Sequence, residues 1–159
     1  MLSEPGQGTT VEICFPRVDL SEKQASPESG PVATRSRGET VLVVDDNRQV
    51  LDVTSRMLAQ EGYRVLVASG LDEARRVAAT EGPVHLLLSD VVMPEGGGRD
   101  VADAVSASNR AVKILFMSGH TDDTVLRARV HDRDVALLHK PFSQAALEQR
   151  VRQVLDAAI

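Results

Sequence analysis

Tryptophan is absent from this 159-residue chain, and aromatic residues make up only 3% of it. A core must therefore rest on Val, Leu, Ala and Ile. Cysteine is nearly absent too. The single Cys14 allows no internal disulfide and points to a reducing compartment, so the expected location is the cytoplasm. No apolar run approaches the ~18 residues of a membrane span, and no membrane contact is expected of this segment. The N-terminus lacks a basic start followed by an apolar stretch, so no secretory signal is expected. Basic residues do not dominate either. The net charge of −5 speaks against a nucleic-acid partner and fits a protein that collects a divalent cation or meets basic partners. What remains is ordinary for a globular chain, with 42% hydrophobic and 26% charged residues and a length of one domain with some excess.

The excess lies at the N-terminus. Residues 1–38 are rich in Gly, Pro, Ser, Thr and Glu, and from Leu20 to Gly38 no apolar periodicity is present. The composition predicts a flexible linker over 19–38. Before it, Thr9 to Phe15 alternates like a strand, with Val11, Ile13 and Phe15 on one face and nothing within the segment to cover them.

From Glu39 the pattern is regular. Val41-Leu42-Val43-Val44, Arg64–Ala68, His85–Leu88 running on to Asp90, Lys113–Met117 and Val135–Leu138 read as strands. Between and after them, helices are predicted over about 48–61, 72–80, 99–106, 121–130 and after the capping Ser143. In the first helix Val50, Val53, Met57 and Leu58 keep helical spacing; in the second Leu71, Ala74 and Ala78 point inward. Gly62 and Gly82-Pro83 supply the stops. Five strands alternating with five helices argue an α/β fold, a parallel sheet covered on both faces. Right-handed crossovers leave few topologies, of which the order 2-1-3-4-5 is a familiar one.

In such a sheet every strand ends on one edge, where α/β proteins place their chemistry. Strand one delivers Asp45 and Asp46 there, strand three Asp90, strand four Ser118 and strand five Lys140. Each has a bland reading alone: a helix cap for Asp45 or Asp46, a turn residue for Asp90 or Ser118, a solvated charge for Lys140. Together they converge. Three carboxylates in a partly desolvated site repel, and a hard divalent cation such as Mg²⁺ resolves the conflict. Lys140 then offers a compact positive charge to an anion, and Ser118 a hydroxyl donor. The implied chemistry is phosphoryl transfer to a carboxylate, with Asp90 as the candidate nucleophile.

Residues 39–159 closely resemble the receiver domain of bacterial two-component response regulators, a flavodoxin-like doubly wound fold. The resemblance is carried by Val41-Leu42-Val43-Val44-Asp45-Asp46, Ser89-Asp90-Val91-Val92-Met93-Pro94, Phe116-Met117-Ser118-Gly119 and Leu138-His139-Lys140-Pro141-Phe142. It implies that Asp90 takes phosphate from the phosphohistidine of a histidine kinase or phosphotransfer protein. It implies that Asp46 and Asp90 bind Mg²⁺ directly with the Val92 carbonyl, that Asp45 acts through water, and that Ser118 and Lys140 contact the phosphoryl group. A cis Lys140-Pro141 bond is also implied. One position departs from the family: where it often carries an inward-turning Phe or Tyr, this chain has Leu137.

A shorter stretch, Ser3 to Pro16, resembles the end of a histidine kinase ATP-binding domain, where a Gly-x-Gly-Thr turn leads into the last strand. The wording Phe116 to Asp123 resembles receivers joined to hybrid kinases. The expected organisation is thus a kinase remnant over 1–18, a linker over 19–38 and a receiver over 39–159. No kinase activity is expected in these residues, and no DNA-binding output domain is expected after Ile159. Two other readings stand beside this one. One is an aspartyl-phosphate phosphatase, although its Asp-x-Asp pattern is not matched by the adjacent pair here. The other is a degenerate receiver used only for docking.

The four histidines are too scattered for a metal cluster. His85 and His139 read as packed or edge residues, and His120 is expected beside the site, where it could tune the lifetime of an acyl phosphate. Gly96-Gly97-Gly98 follows strand three and lacks a Gly-Lys-Ser/Thr ending, so it reads as a mobile loop rather than a phosphate cradle. The oligomeric state is not legible.

Overall fold

In the computed structural model, residues 2–4, 8–10, 36–94, 96–119 and 136–157 are described. The chain divides into two compact units, 1–32 and 33–159. In the first, β1 (Leu2–Glu4) pairs antiparallel with β2 (Gly8–Thr10), Ser3 opposite Thr9. Of the strand predicted over Thr9–Phe15, Thr9 and Thr10 lie in β2; Val11, Ile13, Cys14 and Phe15 lie outside the described residues, as do linker residues 19–35.

The second unit carries one five-stranded parallel sheet. Its strands are β3 (Thr40–Val44), β4 (Arg64–Ala68), β5 (Leu86–Asp90), β6 (Lys113–Ser118) and β7 (Ala136–His139). They lie side by side as β4-β3-β5-β6-β7, the predicted 2-1-3-4-5 when counted within this sheet. Four helices are present among the described residues: α1 (Arg48–Gln60), α2 (Leu71–Thr80), α3 (Gly98–Ser108) and α4 (Gln144–Asp156). The helix predicted over 121–130 lies outside the described residues.

The alternation of side chains along the strands divides the core in two. Val41 and Val43 of β3 with Leu86 and Leu88 of β5 face α1 and α4, meeting Leu51, Leu58, Leu147 and Val151. Leu42, Val44 and Leu87 face the other way onto Ala74 of α2 and Val101, Ala102 and Val105 of α3. Truncating a fully buried member such as Leu88 to Ala costs about 2–5 kcal/mol, the lost transfer energy plus the cavity left behind.

Local chemistry sets the helix ends. Asn47 caps α1, its side chain accepting from Gln49 N–H at 2.9 Å. Gly62, at φ +87°, ends that helix: its N–H donates to Ala59 O and Tyr63 N–H donates to Leu58 O. Ser143 caps α4 as expected, accepting from Ala146 N–H. The inner face of α1 departs from expectation. Leu51, Thr54 and Leu58 are buried, while Val53 is 51% exposed. The helix docks through a stripe one residue round from the valines, because a buried threonine completes that stripe where an apolar pattern places none.

Candidate functional site

Strands β3, β5, β6 and β7 end together, and their last residues or the residue just beyond bring Asp45, Asp90, Ser118 and Lys140 to one edge. Asp45 is fully buried, Asp90 is 8% exposed, Ser118 is fully buried, and Asp46 is exposed. Lys140 Nζ donates to Asp45 Oδ2 at 2.8 Å and to Asp90 Oδ2 at 2.9 Å. One ammonium therefore bridges two strands. Asp45 does not cap a helix: its Oδ1 accepts from Asn47 N–H at 2.9 Å, which tightens the turn into α1 and leaves the cap to Asn47.

The Lys140-Pro141 bond is cis, and Lys140 N–H donates to Ser118 O at 2.7 Å. Burial alone would lower the Lys140 ammonium; hydrogen bonds to Asp45 and Asp90 outweigh it and hold it above its ordinary value. At Asp90 burial dominates and pushes the carboxyl above its usual range. The hydrogen bond and charge of Lys140 pull it down without cancelling that push, and Asp45 adds to it.

The second oxygen, Asp90 Oδ1, is buried and has no hydrogen-bond partner among the described residues. A lone buried carboxylate oxygen is costly and calls for an electropositive partner. Asp45, Asp46 and Asp90 each offer one oxygen within 4.8 Å of the others. A compact set of hard oxygen donors around an orphaned oxygen fits a divalent cation of the Mg²⁺ or Ca²⁺ type. Val92, just beyond β5, is 47% exposed.

The backbone beyond Asp90 is held closely. Val91 N–H donates to Met117 O at 3.1 Å, and Gly98 N–H donates to Val91 O at 3.0 Å. Gly98 is buried at the start of α3, and Asp100 accepts from Gly97 N–H at 2.9 Å. The triglycine stretch, read from sequence as a mobile loop, thus ends in a close approach of two backbone segments. Three glycines in a row advertise freedom and hide the one that is needed for contact. Leu137 is half-buried and packs in the cluster that contains Phe116. His85 is an edge residue as predicted: exposed, with Nδ1 accepting from Thr40 N–H at 2.9 Å. His139 is exposed at the end of β7. His120 and His131 lie outside the described residues.

Residues 41–152 match the response regulator receiver domain family. Over 165 aligned residues the chain is 33% identical to the sensor kinase CckA of Brucella abortus, covering 97% of this chain and 17% of that protein. It is 33% identical over 116 residues to the transcriptional regulatory protein CpxR of Klebsiella pneumoniae, covering 72% of this chain and 48% of that one. The chain thus spans less than half of either relative. Among solved structures it is similar to the receiver domain of the hybrid histidine kinase CckA, with a TM-score of 0.62 and 29% identity over 74% of this chain and 99% of that one. A response regulator receiver protein from Sinorhizobium medicae shares the fold at a TM-score of 0.67, with 24% identity, over 76% of this chain and 97% of that one.

Proposed function

The chain belongs to the response regulator receiver domain family, and we propose that Asp90 is its phosphoryl acceptor. Receiver domains of two-component systems take phosphate from histidine kinases or phosphotransfer proteins. The observation that carries the assignment is the state of the Asp90 carboxylate. One oxygen is fixed at 2.9 Å from an ammonium, and the other is buried on the central strand without a hydrogen-bond partner among the described residues.

The residues divide the work by their chemistry. An Asp90 oxygen forms the new O–P bond as the N–P bond of phosphohistidine breaks, and the imidazole nitrogen leaves with the electron pair. Lys140, already on Asp90, offers its charge to the oxygens of the arriving group, and the Ser118 hydroxyl donates a hydrogen bond to one of them. Asp45, Asp46 and Asp90, with the Val92 carbonyl, would hold Mg²⁺, which when bound neutralises charge on the phosphoryl oxygens. With Leu137 in place of an aromatic, the response to phosphate falls to Ser118 and its loop.

We further propose that the chain is the receiver segment of a hybrid sensor histidine kinase acting in the cytoplasm. The alignment with a sensor kinase over 97% of the chain, N-terminal unit included, supports this. The residues around 1–18 would be the end of a kinase domain and 19–38 the tether.

The test is intact-mass measurement after incubation with acetyl phosphate, with and without Mg²⁺, on wild type and Asp90→Asn. One phosphate on wild type that requires Mg²⁺ and is absent from the variant is expected. Phosphate on Asp90→Asn would move the acceptor elsewhere. Sustained turnover of a phosphomonoester would favour a phosphatase. No uptake from acetyl phosphate or from a phosphorylated histidine kinase would leave a docking domain.

A further inference from the structure

Ser118 ends β6 fully buried. In register beside it stands His139, the last residue of β7. The hydrogen bond from Lys140 N–H to Ser118 O at 2.7 Å fixes the two strand ends against each other. Their side chains meet: Ser118 Oγ lies 3.4 Å from His139 Nδ1, a long but bonded separation. The burial of β7 in the α1–α4 core is carried by Leu138, and the exposed His139 ring takes no part in it.

A serine hydroxyl has one proton to donate. While that proton is given to His139 Nδ1, it is not available to an oxygen of a phosphoryl group on Asp90. We propose that His139 is a positioning residue: it holds the Ser118 hydroxyl in its resting place and releases it to the phosphoryl group on transfer. The inference rests on the acceptor reading of Asp90. The arrangement requires the His139 tautomer with its proton on Nε2, so that Nδ1 accepts. A phosphoryl oxygen is the stronger acceptor, so the exchange runs forward once phosphate arrives. Before that, the resting bond acts as a brake of about one neutral hydrogen bond, a factor of roughly threefold to tenfold in rate.

Three substitutions separate the bond from the bulk of the ring. His139→Phe keeps the ring and removes the acceptor. His139→Asn puts an amide oxygen near the Nδ1 position, and His139→Gln puts it near Nε2. Initial rates of Mg²⁺-dependent phosphorylation by acetyl phosphate are read by intact mass, each in the Ser118 and the Ser118→Ala background. Phe and Gln are expected to raise the rate about threefold to tenfold, Asn to keep it near wild type, and all three to converge in Ser118→Ala. An unchanged rate for His139→Phe overturns the proposal. So does a change that persists without the Ser118 hydroxyl, which marks a structural effect. Long-range ¹H–¹⁵N spectra of the unphosphorylated protein give a second readout that does not depend on transfer. The Nε2–H tautomer of His139, with an Nδ1 shift that moves in Ser118→Ala, is expected; an Nδ1–H tautomer overturns the proposal. Should wild type take no phosphate from either acetyl phosphate or a phosphorylated kinase, the acceptor reading fails first and the proposal with it.

Discussion

A Cβ atom built on Gly98 would stand 2.1 Å from the carbonyl oxygen of Asp90 and 3.1 Å from the ring of Phe116. No side chain fits there without moving the backbone of the residue proposed to react. Gly98→Ala is expected to lower the melting temperature, at a cost of about 1–3 kcal/mol for overpacking, and to slow phosphorylation of Asp90. Thermal denaturation and intact-mass kinetics check the two effects separately. A variant that loses stability but phosphorylates at the wild-type rate would show that the Asp90 loop absorbs the displacement.

Divalent cation is expected to stabilise the folded chain. Three carboxylate oxygens within 4.8 Å repel in the cation's absence, and the unfolded chain has no such cluster. Mg²⁺ at a hundred times its dissociation constant would add about 2.7 kcal/mol, raising the melting temperature until EDTA removes it. In Asp46→Ala the shift with Mg²⁺ should shrink markedly. An equal shift in both proteins would place the bound ion elsewhere.

Glu39 and Arg152 form an ion pair at 2.8 Å at the opposite edge of the sheet, and both side chains are largely shielded. Burial works to raise the Glu39 carboxyl, but hydrogen bonds from Arg152, the Arg37 amide and Ser36 bring it down to about 2. A depressed folded-state value means the unfolded state binds the proton more readily. The stabilisation is complete above the ordinary value near 4.5 and is lost as pH falls through about 2. Urea midpoints between pH 5 and pH 2 should fall less steeply in Glu39→Gln than in wild type. Parallel curves would mean the pair contributes nothing.

Glu148 behaves in the opposite sense. A hydrogen bond shared with Glu61, then burial, raises its carboxyl to about 7. Gln144 of the same helix also donates to Glu61 Oε1 at 3.1 Å, so the contact joins α4 to the end of α1. Here the folded state holds the proton. The stabilisation is full below the ordinary value near 4.5 and is lost as pH rises through about 7. Glu148→Gln should therefore be more stable than wild type at pH 8, with the difference vanishing near pH 4. Stability curves from pH 4 to 8 test this, and a variant that tracks wild type throughout would contradict the shared proton.

What could be read ahead of the structure follows physical range. The strands were legible because runs such as Val41–Val44 and Leu86–Leu88 are buried on both faces, and burial writes itself into adjacent residues. The strand-end residues were legible because a parallel sheet gathers all C-terminal ends on one edge. Asn47 as the α1 cap was hidden behind Asp45 and Asp46, which are equally good caps by type. The buried Thr54 hid the inner face of α1, since a threonine leaves no apolar mark. Gly98 was hidden among three glycines. The bond between Ser118 and His139, and the pairing of Glu39 with Arg152 across more than a hundred positions, belong to no local pattern. They exist only once β6 lies beside β7 and α4 beside the start of β3.

Asp90 ends the central strand of the sheet, and every residue of that strand is buried. Its neighbours β3 and β6 clamp it on either side, and packed helices press on both faces. Mechanically, the group proposed to receive phosphate is mounted on an anvil. It sits where local opening costs close to the whole stability of the domain. A charge arriving there cannot be answered by yielding at the point of impact. Any displacement would pass outward, to the strand end at Ser118–Gly119 and the bend at Val91–Val92, and a partner that senses the phosphorylated domain would have to read those rims rather than the strand that took the blow.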